Sequence, residues 1–401
     1  MKNKNFFCIK PFNSVRVNTS GVIKTCCNIK PSWSKFKNKK DFNLKTDLVN
    51  DFWNSQYRNH VKNLFIEGSM PPECKQCVLK EEQGIKSERQ YANLHYGIIG
   101  NKPAEYYLRH LKKQNLAHPE DYNLDITNLC NLKCQMCTGA SSSKLLIENN
   151  ALGLENLDQK DYDITEERLQ SFITAIVDNN VNNITLQGGE PLMNPKIISL
   201  LQRLATKEVA NTLSVWITTN GTQYAEHVHA ILSRFKEVKL IFSIDGVGKT
   251  NNYLRFPSNW TDIENNVKKF KTLPNATYQI TFVVQNLNLL DIPNIINFSN
   301  KHKIHLRLSL LYDPEYLQLH VLPKNILREA LENLETIHPK YTVHVTNIDG
   351  IKKRIQSALA SKKSTSNELN TFKEIISKRD SYRKIHIKNY LPKIAEHLNI
   401  Q

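Results

Sequence analysis

The sequence predicts an α/β fold, a parallel sheet with helices on its outer side. Three observations predict it. Strand-like and helix-like runs alternate from residue 184 to residue 311, the pattern that successive βα units leave in a chain. One more strand-like run precedes them at residues 122–127, where Leu124 and Ile126 would face one side and Asn123, Asp125 and Thr127 the other. The residues best suited to chemistry come just after the strand-like runs, at the strand ends where such folds place their active sites.

The chain opens with Cys8 and then SVRVNTSGVIKTCC, which reads as two short strands, 14–17 and 22–25, joined by a turn at 18–21. That hairpin would bring Cys8 and Cys26 to one end. Residues 47–65 read as one helix, with Leu48, Phe52, Tyr57, Val61, Leu64 and Phe65 as its apolar face. After the Pro71-Pro72 break, Cys74 and Cys77 form a CxxC pair. Together with Cys8 and Cys26 they make a four-thiolate site, which spacing leaves open to zinc or to a [4Fe–4S] cluster. Residues 85–120 are basic and read as a helical connector.

Cys130, Cys134 and Cys137 follow the strand at 122–127 in a CxxxCxxC spacing. Three thiolates leave one coordination position open, whereas closed structural sites use four protein ligands; a zinc loop borrowing its fourth ligand is the bland alternative. Thr165 then caps a helix with Leu169, Phe172, Ile173, Ile176 and Val177 at helical spacing. Strands follow at 184–187, 213–218, 238–243, 278–284 and 304–311, with helices near 195–207, 223–235, 259–272 and 291–302 between them. The first of these strands ends in Gly188-Gly189-Glu190-Pro191, where glycines admit close backbone approach and a carboxylate can pair with an ammonium group. The next two end in Thr218-Thr219-Asn220-Gly221 and Ser243-Ile244-Asp245-Gly246. Their hydroxyl and carboxylate groups suit ribose hydroxyls, and Asn-Gly and Asp-Gly equally suit plain turns.

Beyond residue 313 come a Leu-rich helix at 324–337, an extended piece at 341–345, a Ser/Lys-rich break at 357–368 and a final helical region from 369. Asp380 and Arg383, at i, i+3, read as a surface ion pair.

The CxxxCxxC loop followed one βα unit later by GGEP resembles the radical S-adenosylmethionine (SAM) superfamily. The resemblance implies a partial (β/α)6 TIM-like barrel in which Cys130, Cys134 and Cys137 hold a [4Fe–4S] cluster whose free iron chelates SAM. Cleavage of SAM there yields a 5′-deoxyadenosyl radical that abstracts hydrogen from substrate. It implies further that Gly188, Gly189, Glu190 and Pro191 hold SAM's amino group, that Arg255 pairs with its carboxylate, and that Ser243 and Asp245 meet its ribose. Met136 would lie near the adenine, with Leu308 to Leu310 lining the adenine side unless they are ordinary barrel core.

The N-terminal cysteines, with Gly21, the Phe52-Trp53-Asn54 helix and Arg89, resemble the twitch or SPASM module, which carries an auxiliary cluster. By that resemblance Cys8, Cys26, Cys74 and Cys77 are its ligands, and Cys27 is spare or replaces Cys26. The cysteines suffice for one auxiliary [4Fe–4S] cluster, and the module stands ahead of the core rather than after it. The domains expected are a small α+β twitch-like domain at 1–95, a connector at 96–120, the core at 121–315 and a helical extension at 316–401.

With 54 Lys+Arg against 38 Asp+Glu, the formal charge is +16. That charge permits an anionic partner, but no dense Arg/aromatic patch of the kind that reads bases accompanies it, so nucleic acid is not favoured. No signal peptide or membrane span is expected, and eight cysteines in a cytoplasmic protein point to metal chemistry rather than disulfides. The expected partners are a peptide or small-molecule substrate, such as a carbohydrate, and a flavodoxin- or ferredoxin-like electron donor. The auxiliary cluster would favour a net oxidation or crosslinking. RNA modification is the rival enzymatic reading, and a zinc-stabilised binding protein the rival outside enzymes.

Overall fold

The computed structural model describes residues 6–29, 42–100, 102–112, 116–156, 164–361 and 366–400. Its centre is a nine-stranded sheet with β1 (Ser14–Val17), β2 (Ile23–Lys24), β3 (Asp121–Leu124), β4 (Asn183–Leu186), β5 (Ser214–Thr219), β6 (Glu237–Ser243), β7 (Ala276–Val284), β8 (His305–Leu310) and β9 (Val345–Thr346). They lie in the order β2-β1-β3-β4-β5-β6-β7-β8-β9. Every neighbouring pair is parallel except the β1–β2 hairpin. The mixed α/β fold with its parallel sheet and outer helices is therefore the one expected.

Strand alternation divides the sheet into two faces of opposite character. On β6, Val238, Leu240 and Phe242 are fully buried on the outer face, and Phe242 meets Phe270 of helix Trp260–Phe270 at 6.1 Å between ring centroids. That helix presents Ile263, Val267 and Phe270 at i, i+4, i+7, the spacing that aligns an apolar stripe with a sheet. The inner face of the same strand carries Lys239, Ile241 and Ser243, which line a cavity. A closed barrel of this family of architectures fills its interior with branched apolar side chains. Here the core lies between sheet and helices, and the interior stays polar.

Several local expectations change. The 47–65 helix is two helices, Val49–Trp53 and Gln56–Ile66; Ser55 begins the second by accepting the Arg58 N–H, an N-cap that the apolar spacing alone conceals. The strand at 122–127 ends at Leu124. In place of an extended piece at 341–345 there is a 3-10 turn, Pro339–Thr342, and the two-residue β9. Helix Ile348–Ala360 runs into the expected Ser/Lys break, of which residues 362–365 lie outside the described residues. Among the described residues, no helix is long and apolar enough to cross a membrane.

The N-terminal hairpin joins the central sheet. Ser14 stands opposite Asp121 and Val17 opposite Leu124, so β1 lies beside the strand that leads into the CxxxCxxC loop. Helix Glu88–His95 lies against the inner face, contributing Glu88, Tyr91 and His95 to the cavity lining.

Candidate active site

The loop that carries Cys130, Cys134 and Cys137 is fixed through its backbone. Lys133 N–H donates to Phe256 O (2.6 Å) and Gln135 N–H to Leu254 O (2.8 Å). Their carbonyls are taken from the other side: Arg383 Nη2 donates to Lys133 O (2.7 Å) and Arg379 Nη1 to Gln135 O (2.8 Å). Both polar groups of the residues flanking Cys134 are thereby satisfied, as a buried backbone requires. Arg379 and Arg383 come from helix Ser366–Arg383, and Arg383 also holds Glu148 at 2.6 Å, which in turn meets Lys133 at 2.9 Å. Burial raises the Glu148 carboxyl, but the bonds and charges of Arg383 and Lys133 outweigh burial and leave it below its ordinary value.

The expected Asp380–Arg383 surface pair is not what forms. Both residues are buried; Asp380 accepts from Tyr253 Oη (2.8 Å) and from Ile387 N (2.7 Å), while Arg383 turns to Glu148 and the cysteine loop. An i, i+3 pair looks the same in sequence whether its face is wet or dry. Glu148 and Arg379 carried no motif that would have singled them out.

The Gly188–Pro191 turn is pressed onto the cysteine loop. Glu190 N–H donates to Leu129 O (2.8 Å). Gly189 has φ +52°, and a Cβ there would stand 2.3 Å from Leu129 O, so only glycine permits this approach. The Glu190 carboxylate is wholly buried. It accepts from Leu192 N (3.2 Å), Thr219 Oγ1 (2.8 Å) and Asn220 N (2.6 Å), which ties the turn to the end of β5. Burial nonetheless pushes it up to about 7. Two carboxylate oxygens offer about four acceptor positions, so one is left for a further donor.

Arg255 lies beside the cysteines, its Nη1 3.8 Å from Cys134 Sγ and its Nη2 2.5 Å from Asp245. Asp245 also accepts from Val283 N at 2.7 Å. The structure thus joins Arg255 and Asp245 in one buried pair next to Cys134. Met136 packs against Cys130 and Cys134. Ser243 faces the cavity, whereas Leu308 and Leu310 are buried on the opposite face and only Ser309 of that trio lines the cavity. The core reading of Leu308 and Leu310 is therefore the correct one, because β8 points its even-numbered residues toward the helices.

Burial and the neighbouring Cys134 push the Cys130 and Cys137 thiols up to about 12. The N-terminal set behaves alike: Cys8 is raised to about 11 by burial and also feels Cys77, Cys26 is raised to about 12 by burial, with Cys27 and Cys8 adding to it, and Cys74 is raised by burial and then by Cys8, Cys26 and Cys77. Cys27 instead faces Glu88, Arg16, Lys10 and Lys80. Cys8, Cys26, Cys74 and Cys77 thus feel one another's charge, and Cys27 acts on Cys26 as well. Arg89 donates to Phe7 O (2.9 Å) and pairs with Glu81 (2.5 Å), holding the chain just before Cys8. Buried thiols that raise one another suit a bound metal cluster, whose positive irons remove that cost. Both sets fit such a group.

The two sets lie at opposite ends of the sheet. Cys130, Cys134 and Cys137 follow the C-terminal end of β3, and Cys8 and Cys26 adjoin the N-terminal end of β1, since Lys24 pairs with Arg16 in the hairpin. Between them runs the cavity, about 550 Å³, bounded below by Lys10, Cys26, Cys27 and helix Glu88–His95 and reaching Gln187 and Ser243 above.

Residues 124–299, within the segment expected to form the core, match the profile of the Radical SAM superfamily, a match that supports SAM and a [4Fe–4S] cluster as cofactors. Among curated proteins, a GTP 3′,8-cyclase of Rhizobium leguminosarum is 32% identical over 140 residues, 35% of this chain and 36% of that one. A GTP 3′,8-cyclase of Desulforamulus reducens is 23% identical over 186 residues, 46% of this chain and 53% of that one. The chain thus spans about a third to a half of the length of these relatives. Among solved structures, Streptococcus suis SuiB bound to S-adenosylmethionine aligns at 17% identity and TM-score 0.41 over 82% of this chain and 70% of that one. Native anSMEcpe with bound AdoMet aligns at 21% identity and TM-score 0.40, over 54% and 59%.

Proposed function

We propose that this chain is a radical SAM enzyme whose substrate occupies the barrel cavity between two iron–sulfur sites. The observation that carries the reading is a cavity lined at one end by Cys26 and Cys27 and reaching at the other Gln187, next to the Gly188–Pro191 turn that packs on the Cys130–Cys137 loop. The cluster on Cys130, Cys134 and Cys137, with SAM, would supply a hydrogen-abstracting 5′-deoxyadenosyl radical. The chain's own residues position SAM. Glu190 offers its remaining acceptor to the amino group, on a turn fixed by Gly188, Gly189 and Pro191. Arg255 offers a guanidinium to the carboxylate, and Asp245 keeps it aimed beside Cys134. Ser243 and Asp245 adjoin the ribose and Met136 the adenine.

Cys8, Cys26, Cys74 and Cys77 would hold the auxiliary cluster of a twitch-type module placed ahead of the core, fed or drained by a flavodoxin- or ferredoxin-like partner. The relatives named GTP 3′,8-cyclase make GTP a substrate to test beside peptides and small metabolites. The match spans only about a third to a half of those relatives, so their reaction does not transfer with it. A cavity of about 550 Å³ suits a small molecule better than a polymer such as RNA.

Anaerobic reconstitution tests the reading. The expected result is a brown protein with about eight irons per chain, two [4Fe–4S] clusters, that forms 5′-deoxyadenosine when reduced with SAM. Cys130→Ala should abolish cleavage. Cys74→Ser with Cys77→Ser should lower iron to about four per chain and leave SAM binding in place. A colourless protein with stoichiometric zinc would sink the proposal.

A further inference from the structure

The lower half of the cavity holds cations whose charges the protein does not fully meet. Its lining carries Lys10, Arg16, Lys239 and Arg307. Arg16 pairs with Asp125 and Arg307 with Glu88. Lys10 and Lys239 have no hydrogen-bond or ion-pair partner among the described residues. The remaining carboxylate, Asp121, already accepts from Ser14 Oγ (2.8 Å) and Asn183 Nδ2 (2.7 Å).

Donors are unmet there as well. Trp216 Nε1 and Arg307 Nε are buried with no acceptor, a costly state for an N–H group unless a ligand completes it. Lys239 Nζ lies 4.8 Å from the centre of the Trp216 ring, and the Arg307 guanidinium stacks 4.0 Å above Tyr91. Burial lowers the Lys239 ammonium below its ordinary value, and the facing charge of Arg307 lowers it further. Two like charges converge on one space, with aromatic rings beside it.

We infer that this region of the cavity binds the phosphate of a phosphorylated small molecule, with Lys239 and Arg307 as its charge partners and the Trp216 indole N–H as a further donor. A phosphate presents three acceptor oxygens and nearly two negative charges at neutral pH, which matches donors spread over several side chains better than a single carboxylate would. Tyr91 and Trp216 offer faces for a ring attached to it. Lys10 adds charge from the cysteine end, but Lys239 is remote in sequence from every cysteine and isolates the site from cluster assembly. That the anion belongs to the substrate rests on the function proposed above; that the cavity holds an anion does not.

The test is titration of the reconstituted full-length protein with inorganic pyrophosphate, GTP and ribose 5-phosphate, with guanosine as the uncharged comparison, followed by calorimetry and tryptophan fluorescence. At least one phosphorylated probe should bind more tightly than guanosine. Lys239→Met should weaken it by roughly tenfold to a hundredfold, the worth of one charge-assisted bond, and Lys239→Arg should keep most of the affinity. Preference for GTP assigns a nucleotide and preference for ribose 5-phosphate a sugar phosphate. Equal binding by wild type and Lys239→Met, or no phosphorylated probe better than guanosine, overturns the site. Should Lys239→Met unfold at a lower temperature, Trp216→Phe replaces it, removing one donor and weakening the probe several-fold. SAM cleavage is read in the same preparations. Cleavage without anion binding overturns this site alone, and anion binding without cleavage overturns the proposed function alone.

Discussion

Glu190 joins two roles in one carboxylate. Its three donors anchor the glycine turn to β5, and its complete burial raises it to about 7. Because the folded protein then holds the proton more tightly than the unfolded chain, this group stabilises most below about pH 4.5 and its contribution is lost as pH rises through about 7. SAM-free wild type should therefore lose stability relative to Glu190→Gln between about pH 5 and about pH 8 in denaturant unfolding. Parallel pH dependence in the two proteins would rule the shift out. The glycine turn, Glu190, Arg255 and the cysteines stood out in the sequence by residue type, and the structure sets Glu190 against Leu129 and Arg255 beside Cys134. Which partner each takes was not legible: the Arg255–Asp245 pair depends on how the chain after β6 folds back, a long-range fact with no local signature.

At the scale of elements, helix Ser366–Arg383 is the instructive case. Its sequence is mostly polar, and its Asp380 and Arg383 read as a surface ion pair. Three of the five residues in its buried stripe, Phe372, Ile376, Arg379, Asp380 and Arg383, are ionic, and ionic residues signal burial only when their partners are known. Those partners, Glu148 and the Lys133 and Gln135 carbonyls, lie more than 200 residues away. Removing Arg383 leaves the Glu148 charge buried with Lys133 and the distant Arg379 beside it. Arg383→Ala should therefore cost about 3–5 kcal/mol in urea unfolding. Combined with Glu148→Gln, the loss should be smaller than the sum of the single losses, since both changes break one network. Strictly additive costs would show that the two residues act separately. The strands between residues 183 and 310, by contrast, were legible to within two residues, because a period of two with β-branched residues is a local signal. That β1 would pair in parallel with β3 was not, since β1 shows the alternation of a hairpin strand and nothing in it names a neighbour 107 residues on.

Across the whole molecule, the two faces of the sheet have separate duties. Leu240 is fully buried beneath the helices, and Ser309 lines the cavity. Leu240→Ala should cost about 2–5 kcal/mol, the range for emptying a packed apolar site. Ser309→Ala should stay within about 0.5 kcal/mol, as changes away from packed features do. Urea unfolding of the two variants measures the contrast, and a comparable loss at Ser309 would mean that the interior bears on stability after all.

The division has a consequence for how such a chain can diversify. Alternate positions along every strand answer to different selective demands: one set must keep the molecule folded, and the other is free to follow whatever enters the cavity. Drift among Thr185, Thr218, Gln279 and Ser309 could recruit a new substrate in single steps, each carrying little risk to the scaffold.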